Sequence, residues 1–501
     1  MVLATTISAL AACVRFTFAL PHIDQTPVVA AALLEHTKRE NAFSPLVPRG
    51  LPESLSLPPL LPKLEVLDSI YAAAPPLPIL QLPTPPLTTP GYFGSDIRPR
   101  KIGYFWTAAG DNVHSDFLAT FSLDDDTFGT LLRVVEIGLS GCSPHHSAVS
   151  LDGQVFWGGC LLSLLKTQDT GIYIDTSDVY NPRYWKSDRA TLASIADEVV
   201  AKPGDGFFFT YMGSLLGTSP GRLVETSPEY EIIHQWPEDL DGTLNILGQQ
   251  FSPHGLSIDF DRGLILTSDF VVPLTVLKPV STTIDGVQRA STLRLWDLAS
   301  RTIINTINIP DGGGIQDVKF IPGNPEGAAL CTAVHPGQVW IIYPYRLDEY
   351  GKPGVAELFY QFEYRDTVAV FSTISKNGRF AYFTFTTANH IAALDITDLR
   401  NPIRLDNPYE IQPVVGAHYL KLTPDQRNLV VCDYFVQTGP IGVVNTPADY
   451  RVLYIDILPN GALSFGRSID FASIFADTYG GAKPHSVVIF DLTDPWYPQW
   501  Y

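Results

Sequence analysis

The chain has 501 residues, 45% of them hydrophobic, with 41 prolines and 38 glycines against two methionines. That balance excludes wholesale disorder and points to many turns and few long helices. A formal net charge of −19, with no local cluster of lysine and arginine to reverse it, argues against nucleic acid and anionic lipid as partners.

In chain order, residues 1–20 read as a signal peptide. Residues 2–20 form an apolar run ending near Ala19-Leu20-Pro21, the length of a secretory core and too short for a membrane span. The expected location is extracellular, and no other stretch is long or apolar enough to cross a bilayer. Arg15 interrupts the run and no basic residue precedes it, so a plain apolar extension is the alternative. Residues 21–100 read as a Pro-rich arm or propeptide. AALLEHTKRE can make one helix, and 14 prolines then fall between Pro45 and Pro99, a density that no sheet interior accepts.

Residues 101–501 carry a degenerate repeat. Five segments share one strand, polar turn, strand pattern: PHHSAVSLDGQVFWGG (144–159), SPHGLSIDFDRGLILTSDF (252–270), IQDVKFIPGNPEGAALCTA (315–333), VAVFSTISKNGRFAYFTFT (368–386) and GAHYLKLTPDQRNLVVCDYF (416–435). Their first strands alternate apolar and polar, and their turns use Asp-Gly, Pro-Gly-Asn or Asn-Gly. A second hairpin, turning at Ser-Asp or Thr-Asp, follows several of them, as in GIYIDTSDVYNPRYW (171–185), TLRLWDLASRTIINTINIP (292–310) and IAALDITDLRNPIRL (391–405). Two hairpins per repeat make four antiparallel strands, one blade of an all-β propeller. A repeated sandwich or a pair of small barrels is the competing architecture. Of the cysteines, Cys142 and Cys160 flank a hairpin and have the geometry to pair, without being obliged to; Cys331 and Cys432 read as buried thiols.

His145, His254 and His418 each begin the first strand of a hairpin. In a propeller that strand lines the axis, so equivalent starts in different blades converge at one height. His485, in KPHSVVIF, precedes another alternating strand and makes a fourth. His146 alternates to the opposite side of its strand, or replaces His145 if the register slips by one. Imidazoles without thiolates suit copper, iron or zinc, and as a set a redox metal or catalytic zinc. Folding the hairpins about their turns brings Asp269 beside His254, and Asp433 and Tyr434 beside His418. These are candidates for orienting imidazoles or relaying protons, or else strand caps and core. His335 falls in a loop, His390 on a blade, and His114 and His234 at the periphery. There is no nucleophile elbow, phosphate loop or dinucleotide fingerprint.

Pro-His-His at 144–146, PHG at 253–255 with TSDF at 267–270, LRLWDL at 293–298, GAHYLKLTPDQRNLVVCDYF and KPHSVVIF, in that order, resemble the selenium-binding protein and methanethiol oxidase family, and more closely its bacterial and fungal relatives of uncharacterised role. The resemblance covers roughly 101–490 and departs where Phe371-Ser372 stands in place of a Pro-His. It implies seven blades, a histidine-bound metal, copper first, and oxidation of a small organic or thiol substrate by dioxygen. A four-His iron oxygenase cleaving alkenes and a non-enzymatic propeller module are the rival functions.

Overall fold

The computed structural model describes residues 94–163, 168–237, 250–276, 287–438 and 444–501. The apolar N-terminal run, the expected helix and all but the end of the Pro-rich segment lie outside them. Residues 101–501 build seven antiparallel sheets arranged as the blades of a propeller. Blade 1 is Pro144–Val149, Val155–Cys160, Gly171–Asp175 and Arg183–Asp188, innermost strand first. Blade 2 is Ala193–Ala201, Phe207–Ser214, Arg222–Thr226 and Ile232–Trp236. Blade 3 is Pro253–Asp259, Leu264–Asp269, Thr292–Asp297 and Thr302–Asn308. Blade 4 is Ile315–Phe320, Ala329–Ala333, Gln338–Leu347 and Pro353–Gln361. Blade 5 is Val370–Ile374, Phe380–Phe385, His390–Asp395 and Ile403–Arg404. Blade 6 is Tyr419–Leu422, Asn428–Cys432, Arg451–Ile457 and Leu463–Asp470.

Blade 7 joins the two ends of the domain. Its innermost strand, Ala482–Asp491, pairs along its length with Lys101–Ala109, which is followed outward by Phe117–Ser122 and Leu131–Glu136. Short Gln499–Trp500 adds to the other edge of Ala482–Asp491. All five inner hairpins expected from the sequence are found, and blades 2 and 7 are the two that the repeats did not disclose. Blade 2 starts with ASIADEVV, which has no Pro-His opening, and blade 7 takes its innermost strand from the far end of the chain. Among the described residues no helix is long and apolar enough to cross a membrane.

The middle strands of each blade bury both faces, which is why they read as unbroken apolar runs. In blade 3, Ile265 packs with Phe208 and Leu223 of blade 2. Leu264 and Leu266, pointing the opposite way, pack with Val318, Ala329 and Cys331 of blade 4. Cys142 and Cys160 form a disulfide, and Cys331 and Cys432 are free and buried. The segment leading into the domain lies against blade 7, where the Ser95 N–H donates to the Leu131 carbonyl at 2.8 Å.

Hydroxyls on the second strands tie neighbouring blades together near the axis. Thr210, Ser268, Thr332 and Thr384 each accept an N–H from their own innermost strand, at Glu198, Gly255, Asp317 and Phe371. Each then donates to a carbonyl at the start of the next innermost strand, at His254, Gln316, Val370 and His418. Thr210→Val strips partners from a buried N–H and a buried carbonyl, so it is expected to lower stability by about 1–3 kcal/mol in urea unfolding, with Thr210→Ser closer to wild type. Gly255 follows His254 for a related reason. A Cβ there would lie 2.5 Å from Ser268 Oγ and 2.9 Å from the Gln316 carbonyl oxygen, so only glycine lets blades 3 and 4 approach this closely.

Candidate metal centre

At the axis, most innermost strands begin with a pair of residues that the ladder to the second strand skips. The register slips between Pro144 and Ser147, Ala196 and Val199, Pro253 and Leu256, and Ile315 and Val318, and again across His485 in blade 7. A bulge of this kind breaks the alternation and re-aims side chains. Round the ring, the first residues of these pairs and their equivalents are His145, Asp197, His254, Gln316, Val370, His418 and His485. The second residues are His146, Glu198, Gly255, Asp317, Phe371, Tyr419 and Ser486.

The first tier brings His145, His254, His418 and His485 together, all with no exposed surface. Ring centroids of His145 and His485 are 3.9 Å apart, those of His418 and His485 5.1 Å, and those of His145 and His254 6.2 Å. Strict alternation would send His146 to the far side of its strand. The bulge instead leaves it stacked on His145, 4.6 Å between centroids and 10° between planes. Asp197 lies among them, its Oδ1 3.3 Å from His254 Nε2, 3.4 Å from His146 Nδ1 and 3.6 Å from His145 Nε2.

Two sets of ligand atoms lie within 4.8 Å of one another: His145, His146 and His485, and His145, Asp197 and His254. His145 belongs to both, and His418 stands beside them. Both ring nitrogens of His145, His146 and His418, Nδ1 of His254, Nε2 of His485 and both oxygens of Asp197 are buried without a hydrogen-bond partner. Buried polar atoms are rarely left in this condition, and the set fits a bound cation. His485 is already oriented for it. Its Nδ1 faces the Phe435 carbonyl at 3.1 Å, and because a carbonyl only accepts, Nδ1 carries the proton and Nε2 keeps the lone pair. Gln316 steadies His254: its Oε1 accepts the Val370 N–H at 2.6 Å and its amide nitrogen sits 3.3 Å from His254 Nε2.

The three non-histidine candidates fall differently. Asp269 opposes Pro253, not His254, because the bulge absorbs the residues between. Its carboxylate accepts from Ser252 N–H, the Thr292 hydroxyl and the buried guanidinium of Arg294. Asp433 accepts from the N–H groups of Asp449 and Arg451, and no hydrogen bond joins it to His418. Both carboxylates are strand caps. Tyr434 is at the edge of the site, its ring 6.1 Å from His485 and its hydroxyl 3.3 Å from Ser143 Oγ. His390 is bound to Asp406 within blade 5.

Asp197, Glu198 and Gln316 escaped the sequence reading. The available signal was two consecutive carboxylates inside an apolar strand, Asp197-Glu198 in ASIADEVVA, which has no place in a blade without a partner at the axis. Two residues earlier Ile195 has φ +66°, a left-handed conformation that costs a β-branched residue energy and marks a constrained site. Below the histidines, Lys319 Nζ lies 3.0 Å from both Glu198 Oε2 and Asp317 Oδ1. Above them, Phe270 is 5.2 Å from His254 and Phe435 4.4 Å from His418.

Burial holds these imidazoles neutral. It pushes His254 down to about 3 and, reinforced by the neighbouring histidines, holds His145, His146, His418 and His485 well below the usual value of 6.5. Burial, with Glu198 and Asp317 nearby, holds the Asp197 carboxyl well above the usual range. The sign for stability follows. Below about pH 6.5 the unfolded chain protonates histidines that the folded chain keeps neutral, so each costs about 1.4 kcal/mol per pH unit. Asp197 works in the opposite sense, losing stability as pH rises above its unfolded value. So, outside the cluster, do Asp188, pushed up by burial to about 7, and the buried Asp269 and Asp433. Within the cluster Asp197 is one group against five. The cluster's share of the metal-free protein's stability is therefore expected to fall as pH falls from about 6.5 to 5, seen by circular dichroism as a melting temperature that drops more steeply with pH in the wild type than in His418→Phe.

The fold has known counterparts. A hypothetical selenium-binding protein from Sulfolobus tokodaii superposes with a TM-score of 0.63 at 14% identity, over 78% of this chain and 94% of that one. The periplasmic gluconolactonase of Pseudomonas aeruginosa superposes with a TM-score of 0.54 at 11% identity, over 77% of this chain and 98% of that one. The likeness is one of fold. No protein-family model matches the chain, and no curated protein matches it in sequence.

Proposed function

We propose that the protein is an exported, metal-dependent oxidoreductase. His145 or His146, with His254, His418 and His485, would hold one metal ion, copper in the first instance, and a small organic or thiol substrate is oxidised with dioxygen as electron acceptor. The observation that carries this reading is the convergence of fully buried imidazoles from blades 1, 3, 6 and 7, each with at least one ring nitrogen unpartnered. Bound copper would supply one-electron exchange between substrate and dioxygen. The chain's own residues do the positioning. The Phe435 carbonyl sets the His485 tautomer, Gln316 braces His254, and Phe270 and Phe435 keep bulk water from the upper side of the cluster. The Cys142–Cys160 disulfide supports export to an oxidising compartment.

One observation favours iron as the second reading. His145, Asp197 and His254 form a two-histidine, one-carboxylate set, the donor combination of non-haem iron oxygenases. Elemental analysis with electron paramagnetic resonance of the full chain separates the two, since oxidised mononuclear copper and iron give different spectra. Oxygen uptake with thiols, phenols and alkenes then tests the activity. A folded protein that takes up neither metal and consumes no oxygen is a binding module, and the proposal fails.

A further inference from the structure

Above the histidine cluster the propeller holds a partly open chamber of about 200 Å³. We infer that this chamber is the substrate site and that its occupant is a neutral, apolar molecule about the size of one substituted six-membered ring. The inference rests on the oxidoreductase reading for the word substrate, but the binding itself does not need the metal.

The walls set the chemistry. Ile195, Met212, Phe270, Val334, Phe435 and Val436 face the space, and all are buried. Phe270 and Phe435 are shared walls, touching the chamber on one side and His254 and His418 on the other. A molecule seated there therefore lies against the cluster. An apolar protein cavity of about 150 Å³ lined by leucine, isoleucine and phenylalanine stays dry and takes up benzene, so this volume accepts a ring with a small substituent. A sugar would have to give up water for hydrocarbon walls and leave most of its hydroxyls unpaired, and a carboxylate could pair with only one cation of the lining, the half-buried Arg289. Among the described lining residues the polar groups are few, with Arg289, His335 and Asp366 the charged or titratable ones, and His335 and Asp366 lie 2.9 Å apart as a pair. Met212 adds a flexible, polarisable wall suited to varied apolar shapes.

The test uses the full chain, both metal-loaded and metal-free, with fluorobenzene followed by fluorine NMR. Fluorobenzene is expected to bind both forms. 4-Fluorobenzoate and 2-fluoro-2-deoxyglucose are expected to bind at least tenfold more weakly. Val334→Phe and, separately, Met212→Phe fill the chamber without touching the histidines, so each is expected to weaken fluorobenzene binding at least tenfold while metal content stays at the wild-type value. If one variant fails to fold, the other reports. No binding of fluorobenzene, equal binding of the benzoate or the sugar, or undiminished binding in a folded variant overturns the inference. The two readings fail separately. Fluorobenzene bound by a chain that takes up no metal leaves the chamber and removes the oxidoreductase, and a metal-loaded chain that ignores fluorobenzene does the reverse.

Discussion

His145→Ala is expected to weaken metal retention by about 100-fold or more, since even the outer partners of ligating residues are worth about 10–100-fold, and to abolish oxygen uptake with it. His145 is the residue common to both ligand sets, and it stands between His146 and His485, 4.6 Å and 3.9 Å from their ring centroids. Its loss breaks both sets at once, where loss of His418 spares both. The fold should tolerate the change. Neither ring nitrogen of His145 has a partner, so the metal-free protein loses an unsatisfied buried imidazole along with its packing, and those effects oppose each other. His390→Ala is the control. It removes a histidine bound to Asp406 at 2.7 Å in blade 5, so it should lower stability and leave metal content alone. Full metal in His145→Ala would pass the blade 1 ligand to His146, and full metal in a His145→Ala, His146→Ala double variant would contradict the assignment.

Asp269→Ala should be the most damaging single change to stability, by about 3–5 kcal/mol, with metal content unaltered in whatever remains folded. Arg294 and Asp269 are both buried and form an ion pair. The carboxylate also gathers Ser252 N–H at 2.8 Å and the Thr292 hydroxyl at 2.7 Å, while Arg294 reaches the Gln250 carbonyl at 2.7 Å. Removing the carboxylate strands a guanidinium in the core, which is far costlier than never having had the pair. An Asp269→Leu, Arg294→Met double variant should accordingly recover much of the loss. Urea midpoints of the three proteins check both statements. An Asp269→Ala protein of wild-type stability but without activity would instead restore a chemical role for this residue.

The inner hairpins were legible because they combine an alternating strand with a turn whose residues demand a reversal, as at Leu256–Phe260 and Asp261-Arg262-Gly263. Position along the axis was legible for His145, His254, His418 and His485 because Pro-His or Ala-His openings recur at the same place in the repeat. What hid the rest was the bulge. An inserted residue leaves no mark in composition, yet it decides that His146 and His145 both turn inward and that Asp269 meets Pro253. Asp197 was hidden for a second reason. The stretch between His145 and His254 holds two blades, and the second of them opens without the dipeptide that marks the others, so its strand had no visible counterpart. Both failures concern register, which is set by long-range pairing and not by local preference.

His485 arrives on Ala482–Asp491, the strand that locks onto Lys101–Ala109. Closing the circle and delivering the last imidazole are therefore a single act. A nascent chain on the ribosome can stack blade upon blade and still lack this imidazole, so under the four-histidine proposal a cation would find its full donor set only after synthesis has reached that strand. Under that proposal loading would report on completion, because the full four-histidine set exists only in a chain whose two ends have met.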